Sequence, residues 1–291
     1  MSRSPRRGAN PVLPLDLHAG SGRGQGAGKP LQRAVTRRNL ALRETEGWRP
    51  PALRKPGLLR RFSDLQLASI WNDLRPLLAN ETGVVLDVGC GEQPYRSLLP
   101  PGSSYQGLDI AESGERFGYA RSDTLYVSGY PWPVADGSVD LVLCTEVLEH
   151  VLDPGRLLSE VGRCLRPGGR LLLTVPFAAR WHFVPYDYWR FTPSSMAHLL
   201  QEARFADVRV YGRGNPLTVA AQKVLALIAP LRVMRFVLSP VAAGAALVGQ
   251  WSLKRDWGED CLGYTVQAQK PLMTMEASPP EIERARTDAS R

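Results

Sequence analysis

Val84-Val-Leu-Asp-Val-Gly-Cys-Gly91, followed by Glu92-Gln-Pro-Tyr95, is the stretch on which the fold turns. A run of valine and leucine that breaks into two glycines one residue apart is the pattern of a buried strand ending in a tight turn. At the carboxyl edge of a parallel sheet such a turn lets the backbone approach a ligand closely. Gly89-x-Gly91 begins like a dinucleotide fingerprint, yet the third glycine position holds Pro94 and an acid, Asp87, lies inside the strand end. Both departures argue against a pyrophosphate seated on the following helix and leave a nucleoside as the ligand class.

Outward from this stretch, short apolar runs alternate with helical patterns. Gly83–Gly89, Tyr105–Ile110, Val139–Thr145 and Arg170–Pro176 read as buried strands, and Asp207–Tyr211 and Gly263–Gln269 as later ones. Asp153–Leu165 reads as an amphipathic helix with Leu157, Leu158, Val161 and Leu165 on one face, stopped by Arg166-Pro-Gly-Gly169. A further helix is predicted from Thr192 to about Ala203, and Ser63 is a candidate N-cap for a helix carrying Leu65, Ile70, Trp71, Leu74, Leu77 and Leu78. The alternation predicts an α/β fold with a parallel sheet and helices on both faces.

The chain has 291 residues and a net charge of +8, which invites a nucleic-acid reading. The charge is unevenly placed: residues 1–61 hold 14 Lys+Arg against 3 Asp+Glu, so the remainder is mildly acidic, at −3. Residues 1–61 are rich in Gly, Pro and Arg and read as a disordered basic arm, a solvated tail in the plainest view and a transit peptide or anionic-surface tether in the others. Residues 62–270 read as the folded domain and 271–291 as a disordered tail. Within the domain Leu217–Leu253 is an apolar helical insert, whose longest uncharged run, Phe236–Leu253, counts 18 residues and contains Pro240. It reads as two packed helices, as helices lying in a membrane interface, or as a short span. The four cysteines (Cys90, Cys144, Cys164, Cys261) lie far apart without zinc-ligand spacing, so no metal site and no disulfide framework are expected, and the location reads as cytoplasmic, with the inner face of a membrane as an option.

Asp109 closes the second strand 22 residues after Asp87, where a carboxylate can accept both hydroxyl hydrogens of a ribose. Pro131-Trp-Pro-Val-Ala-Asp-Gly-Ser-Val-Asp140, Thr145-Glu-Val-Leu-Glu-His150 and Leu165-Arg-Pro-Gly-Gly169 follow in order. With these motifs the chain resembles the class I S-adenosylmethionine-dependent methyltransferases over roughly residues 80–212, the late strand fitting the family's last one. The resemblance implies a Rossmann-like, doubly wound, mostly parallel seven-stranded sheet, with the apolar insert before the last strand. It also implies S-adenosyl-L-methionine as cofactor. Asp87, Gly89, Cys90 and Gly91 would form the loop under the methionine part, Asp109 would hold the ribose, Ser128 would stand where the family often places an acid for the adenine amino group, and Thr145 and Glu146 would face the methionine end.

Methyl transfer to oxygen or nitrogen is an in-line displacement, so alignment is the protein's main contribution. A base is needed only where the acceptor loses a proton; His150, His182 and Asp187 are the candidates, with a supporting role for His150 as the plainer alternative. Pro176–Pro193 overhangs the expected carboxyl edge and resembles the DYWRFTP-like lid of methyltransferases from bacterial glycan and surface-polysaccharide gene neighbourhoods. There Tyr186, Tyr188 and Arg190 are the substrate-binding candidates, against the view that the aromatics anchor the loop and Arg190 is an ion-pair partner. The expected function is methyl transfer to a small-molecule, glycan or lipid-linked acceptor, with peripheral membrane contact through 217–253 and the arm. Two alternatives stand beside it. One is a non-catalytic cofactor-binding or membrane-tethering protein. The other is a nucleic-acid methyltransferase, disfavoured by the acidic domain and by Thr145-Glu146 where amino-group DNA methylases carry Asn/Asp-Pro-Pro-aromatic.

Overall fold

A computed structural model describes residues 57–113, 121–182, 186–230, 237–255 and 260–272. Seven strands form one sheet: β1 (Val84–Val88), β2 (Ser104–Ile110), β3 (Thr124–Val127), β4 (Val139–Thr145), β5 (Leu165–Pro176), β6 (Ala206–Arg213) and β7 (Gly263–Gln269). Their order is β3-β2-β1-β4-β5-β7-β6. β1 to β5 run parallel, while β7 is antiparallel to both β5 and β6. The chain winds outward from β1 in both directions, so the crevice that a doubly wound sheet offers a ligand lies at the carboxyl ends of β1 and β4.

Among the described residues the strands are accompanied by the α-helices α1 (Leu58–Ser63), α2 (Leu65–Leu78), α3 (Pro154–Cys164), α4 (Pro193–Glu202), α5 (Pro216–Ile228) and α6 (Ser239–Ser252). Because successive strand side chains point to opposite faces, β1 feeds two cores. Leu86 and Val88 pack with Val142, Cys144 and the α3 residues Leu157, Leu158 and Val161. Val85 packs with Leu141, Leu143 and Leu172 against Ile70, Trp71, Leu74 and Leu78 of α2.

Two expected boundaries move. Ser63 ends α1, and it is Asp64 that caps α2 by accepting the Leu67 N–H at 3.2 Å. Residues 58–61, expected in the arm, start α1, whose end is tied to the insert: Phe62 packs with α5 and α6, and Gln250 donates to the carbonyls of Arg61 and Phe62 at 2.9 and 3.1 Å. The rest of the arm, residues 1–56, and residues 273–291 of the expected tail lie outside the described residues. The other shift is at β5, which begins at Leu165, because Leu165 pairs with Val139 before the register resumes at Leu141 and Arg170. The Arg166-Pro-Gly-Gly169 turn is thus an irregularity within the strand, with Gly168 left-handed at φ 76°.

The apolar insert forms α5 and α6, which pack on each other and on Leu65 and Leu262 through Ala221, Leu225 and Ala246. Asn215 joins them: its side chain caps α5 through the N–H groups of Leu217 and Thr218 and donates to the carbonyls of Ser252 and Arg255. Among the described residues no helix is long and apolar enough to cross a membrane.

Candidate active site

A cavity of about 560 Å³ opens at the carboxyl ends of β1, β2 and β4. The volume is that of a typical small-ligand site. Its floor is the glycine turn after β1. Gly89 and Gly91 are left-handed (φ 68° and 49°), and a Cβ on Gly89 would run into Val147, so the turn closes only with glycine. The Gly89 and Cys90 N–H groups donate to the Leu108 carbonyl, which ties the turn to β2.

At the end of β2, Asp109 accepts from the Gly91 N–H at 2.9 Å and from its neighbour Ile110 at 2.7 Å. Burial raises its pKa, and those two backbone bonds oppose the rise. Opposite stands the Tyr130–Trp132 segment. Glu160 accepts the Trp132 N–H at 2.6 Å, and Arg163 donates to the carbonyls of Val134 and Trp132, so α3 pins this wall. Glu146 follows β4 with an unusual φ of 53°. Its carboxylate accepts from Gln66 of α2 at 2.8 Å and from Arg213, the last residue of β6, at 2.7 Å. Arg213 is itself buried and also donates to Ser69 and to the Val175 carbonyl.

Of the predicted cofactor-binding residues, Gly89, Cys90, Gly91, Asp109, Ser128, Thr145 and Glu146 line the cavity. Asp87 does not: it lies buried behind the wall, accepting the Tyr105 hydroxyl at 2.6 Å, and its other oxygen has no hydrogen-bond partner among the described residues. Cys90 contributes to the wall while its thiol is buried against Gly107 and Thr124, and burial, with Asp87 adding to it, pushes that thiol up to about 12.

His150 and His182 also line the cavity, their rings edge to face with centroids 4.9 Å apart. The third base candidate, Asp187, stands outside the lining. Its carboxylate is fully buried, bonded to Arg190 at 2.5 and 2.7 Å and to the His182 backbone N–H at 3.0 Å. Burial pushes its pKa up, but these bonds outweigh burial and hold it below the usual carboxylate range. Beside His150, the Glu149 carboxyl is driven well above the ordinary range by burial and by the Glu146 charge. Burial lowers the His150 imidazole, partly offset by its bond to the Tyr186 carbonyl.

Tyr186, Tyr188 and Arg190, the predicted acceptor-binding side chains, likewise stand outside the lining. The loop hangs from the Glu149 carbonyl, which accepts the N–H groups of Tyr188 and Trp189, and the Trp189 indole donates to Val151. This fastening turns Tyr188 and Trp189 outward, half exposed, while Phe191 enters the core. Sequence reasoning missed Ile110, Glu112, Tyr130, Trp132 and Val147 on the wall and Arg213 beneath it. Trp132 lay within a quoted motif; Arg213 carried no local signal, because its partners are remote in the chain.

Residues 59–213, just over half the chain, match the family model of the methyltransferase domain, and the chain belongs to the S-adenosylmethionine-dependent methyltransferases. It is 30% identical over 203 residues to the ubiquinone biosynthesis O-methyltransferase of Thiobacillus denitrificans, covering 59% of this chain and 83% of that one. To the human thiol S-methyltransferase TMT1A it is 34% identical over 135 residues, 40% of this chain and 51% of the other. Other curated relatives are matched over 32% to 59% of their own length. A methyltransferase from Archaeoglobus fulgidus superposes with a TM-score of 0.46 at 17% identity, over 71% of this chain and 95% of that one.

The cavity suits the cofactor. It joins a carboxylate at the end of β2 to a glycine turn where a Cβ would block the chain, with a buried, half-partnered Asp87 carboxyl just behind.

Proposed function

We propose that the protein methylates an oxygen or nitrogen of a small-molecule, glycan or lipid-linked acceptor held at the His150–His182 end of the cavity. The observation that carries this reading is the pair of imidazoles on the wall, next to the strand-end residues Thr145 and Glu146. S-adenosylmethionine, when bound, supplies a methyl group already activated on a sulfonium. Asp109 takes the ribose hydroxyls, the Gly89–Gly91 backbone and Glu146 hold the methionine end, and Ser128 lies toward the base. Asp87 supports the turn from behind without touching the ligand. Arg213 and Gln66 fix Glu146, so the reactants are aligned by groups whose own positions are locked. The acceptor's proton falls to the imidazoles of His150 and His182, with Asp187 orienting His182 as a positioning residue.

The insert gives the acceptor side an apolar neighbour. Lys223 of α5 donates to the Ala178 carbonyl at 2.8 Å, tying α5 to the loop that carries His182. Leu227 and Val237 are 71% and 75% exposed, and Val241, Leu247, Val248 and Trp251 add further exposed apolar surface. This supports peripheral contact with a membrane interface and a lipid-linked or hydrophobic acceptor.

The test is incubation of the protein with methyl-labelled S-adenosylmethionine and fractionated polar and lipid cell extracts. Label is expected in one acceptor fraction. Cofactor binding by calorimetry with no label in any fraction would favour the non-catalytic alternative.

A further inference from the structure

Glu149 and His150, beyond β4, meet His182, beyond β5, and one ligand atom from each lies within 4.8 Å of the others. Glu149 is fully buried, and neither carboxylate oxygen has a hydrogen-bond partner among the described residues. Oε1 stands 3.6 Å from Nε2 of His150. A buried carboxylate without partners is costly, and such groups persist where they bind something.

The histidines are oriented from behind. Nδ1 of His150 lies 3.0 Å from the Tyr186 carbonyl. Nδ1 of His182 lies 2.9 Å from the Arg180 carbonyl and 3.2 Å from Asp187, whose carboxylate is clamped by Arg190. Each Nδ1 thus faces a carbonyl or carboxylate, and the tautomer protonated there carries the lone pair of the ring on Nε2. Metal-bound histidines are held in the same way by the groups behind them.

We propose that Glu149, His150 and His182 form a binding site for a divalent first-row transition ion, with its open positions toward the cavity for an acceptor oxygen. Two imidazoles and one carboxylate suit zinc, iron or cobalt better than magnesium or calcium, which take oxygen ligands. Ligands about 2.1 Å from a shared ion lie roughly 3 to 3.5 Å apart, so the three side chains draw in by about an ångström on binding. The sequence showed no such site, because its ligands come from two separate segments without a short spacing motif. The use of the ion in methylation rests on the function proposed above, with the bound ion acidifying the acceptor oxygen in place of proton uptake by the two rings; the site itself does not rest on it.

The experiment uses the full chain, stripped with chelator and titrated with Co²⁺ while the visible ligand-field absorption is followed, with Zn²⁺ as competitor. One equivalent is expected to bind in the micromolar range. Glu149→Gln and His182→Gln should each weaken binding about 100-fold, and Asp187→Asn about tenfold, with S-adenosylmethionine affinity kept within about twofold. Should Glu149→Gln fail to fold, His182→Gln, at the cavity wall, carries the test. Cobalt binding by the wild type no tighter than by His182→Gln overturns the site. Failed metal binding with intact label transfer overturns this site alone, whereas metal binding without any label transfer overturns the proposed function alone.

Discussion

Burial governs the chemistry of Asp87. Its carboxyl is 1% exposed, and burial raises its pKa to about 7 against the hydrogen bond from Tyr105. A carboxyl whose pKa rises on folding binds more protons in the native than in the unfolded state between these two values. Its contribution to stability is therefore full below about pH 4 and lost as the pH climbs through 7. Asp87→Asn stays neutral and can still accept from Tyr105. It should exceed the wild type in stability by on the order of 2 kcal/mol at pH 8 and lose that advantage at pH 5; calorimetric melting at both pH values measures it, and a gap that does not narrow in acid refutes it. Asp109→Ala should weaken calorimetric binding of S-adenosylmethionine by about 10- to 100-fold, the worth of charge-assisted hydrogen bonds; unchanged affinity sinks the ribose assignment. Arg213→Met leaves Glu146 without its cation and should cost about 3 kcal/mol in urea unfolding, much of it regained in the double variant with Glu146→Gln. An additive double variant would show that the pair is not coupled.

At the scale of elements, boundaries set by local chemistry were legible. Val139–Thr145 and Gly263–Gln269 coincide with β4 and β7, and Thr192 caps α4 through a reciprocal bond pair with Ser195. The start of β5 was not, because pairing of Leu165 with Val139 is a long-range contact that overrides a strong turn signal. Gly249 of α6 faces Leu65 so tightly that a Cβ there has no room. Gly249→Val should therefore lower stability by about 1 to 3 kcal/mol and detach α6 from α2, read as a lower melting temperature with faster proteolysis near residue 250. A melting temperature equal to the wild type would show the contact to be slack.

For the whole molecule, the question left by the charge distribution is whether the insert meets a membrane. Exposed Leu58 and Leu59 on α1, which contacts α6, add apolar surface beside Arg60 and Arg61. The full chain should float with vesicles rich in anionic phospholipid and less with neutral ones. Leu227→Glu with Val248→Glu should abolish flotation while cofactor affinity stays; equal recovery of both proteins removes the membrane role.

By itself the sequence determined the α/β sheet and the carboxyl edge at which a ligand sits. Those depend on hydrophobic period, turn glycines and carboxylates at strand ends, all of them local properties of a few consecutive residues. The tertiary structure decided what the lid loop presents to the cavity. Hydrogen bonds from Tyr188 and Trp189 to Glu149 and the clamp between Asp187 and Arg190 turn the expected acceptor-binding side chains away and leave His182 facing His150. The bonds to Glu149 join residues some 40 positions apart, and no pattern within either segment encodes their meeting.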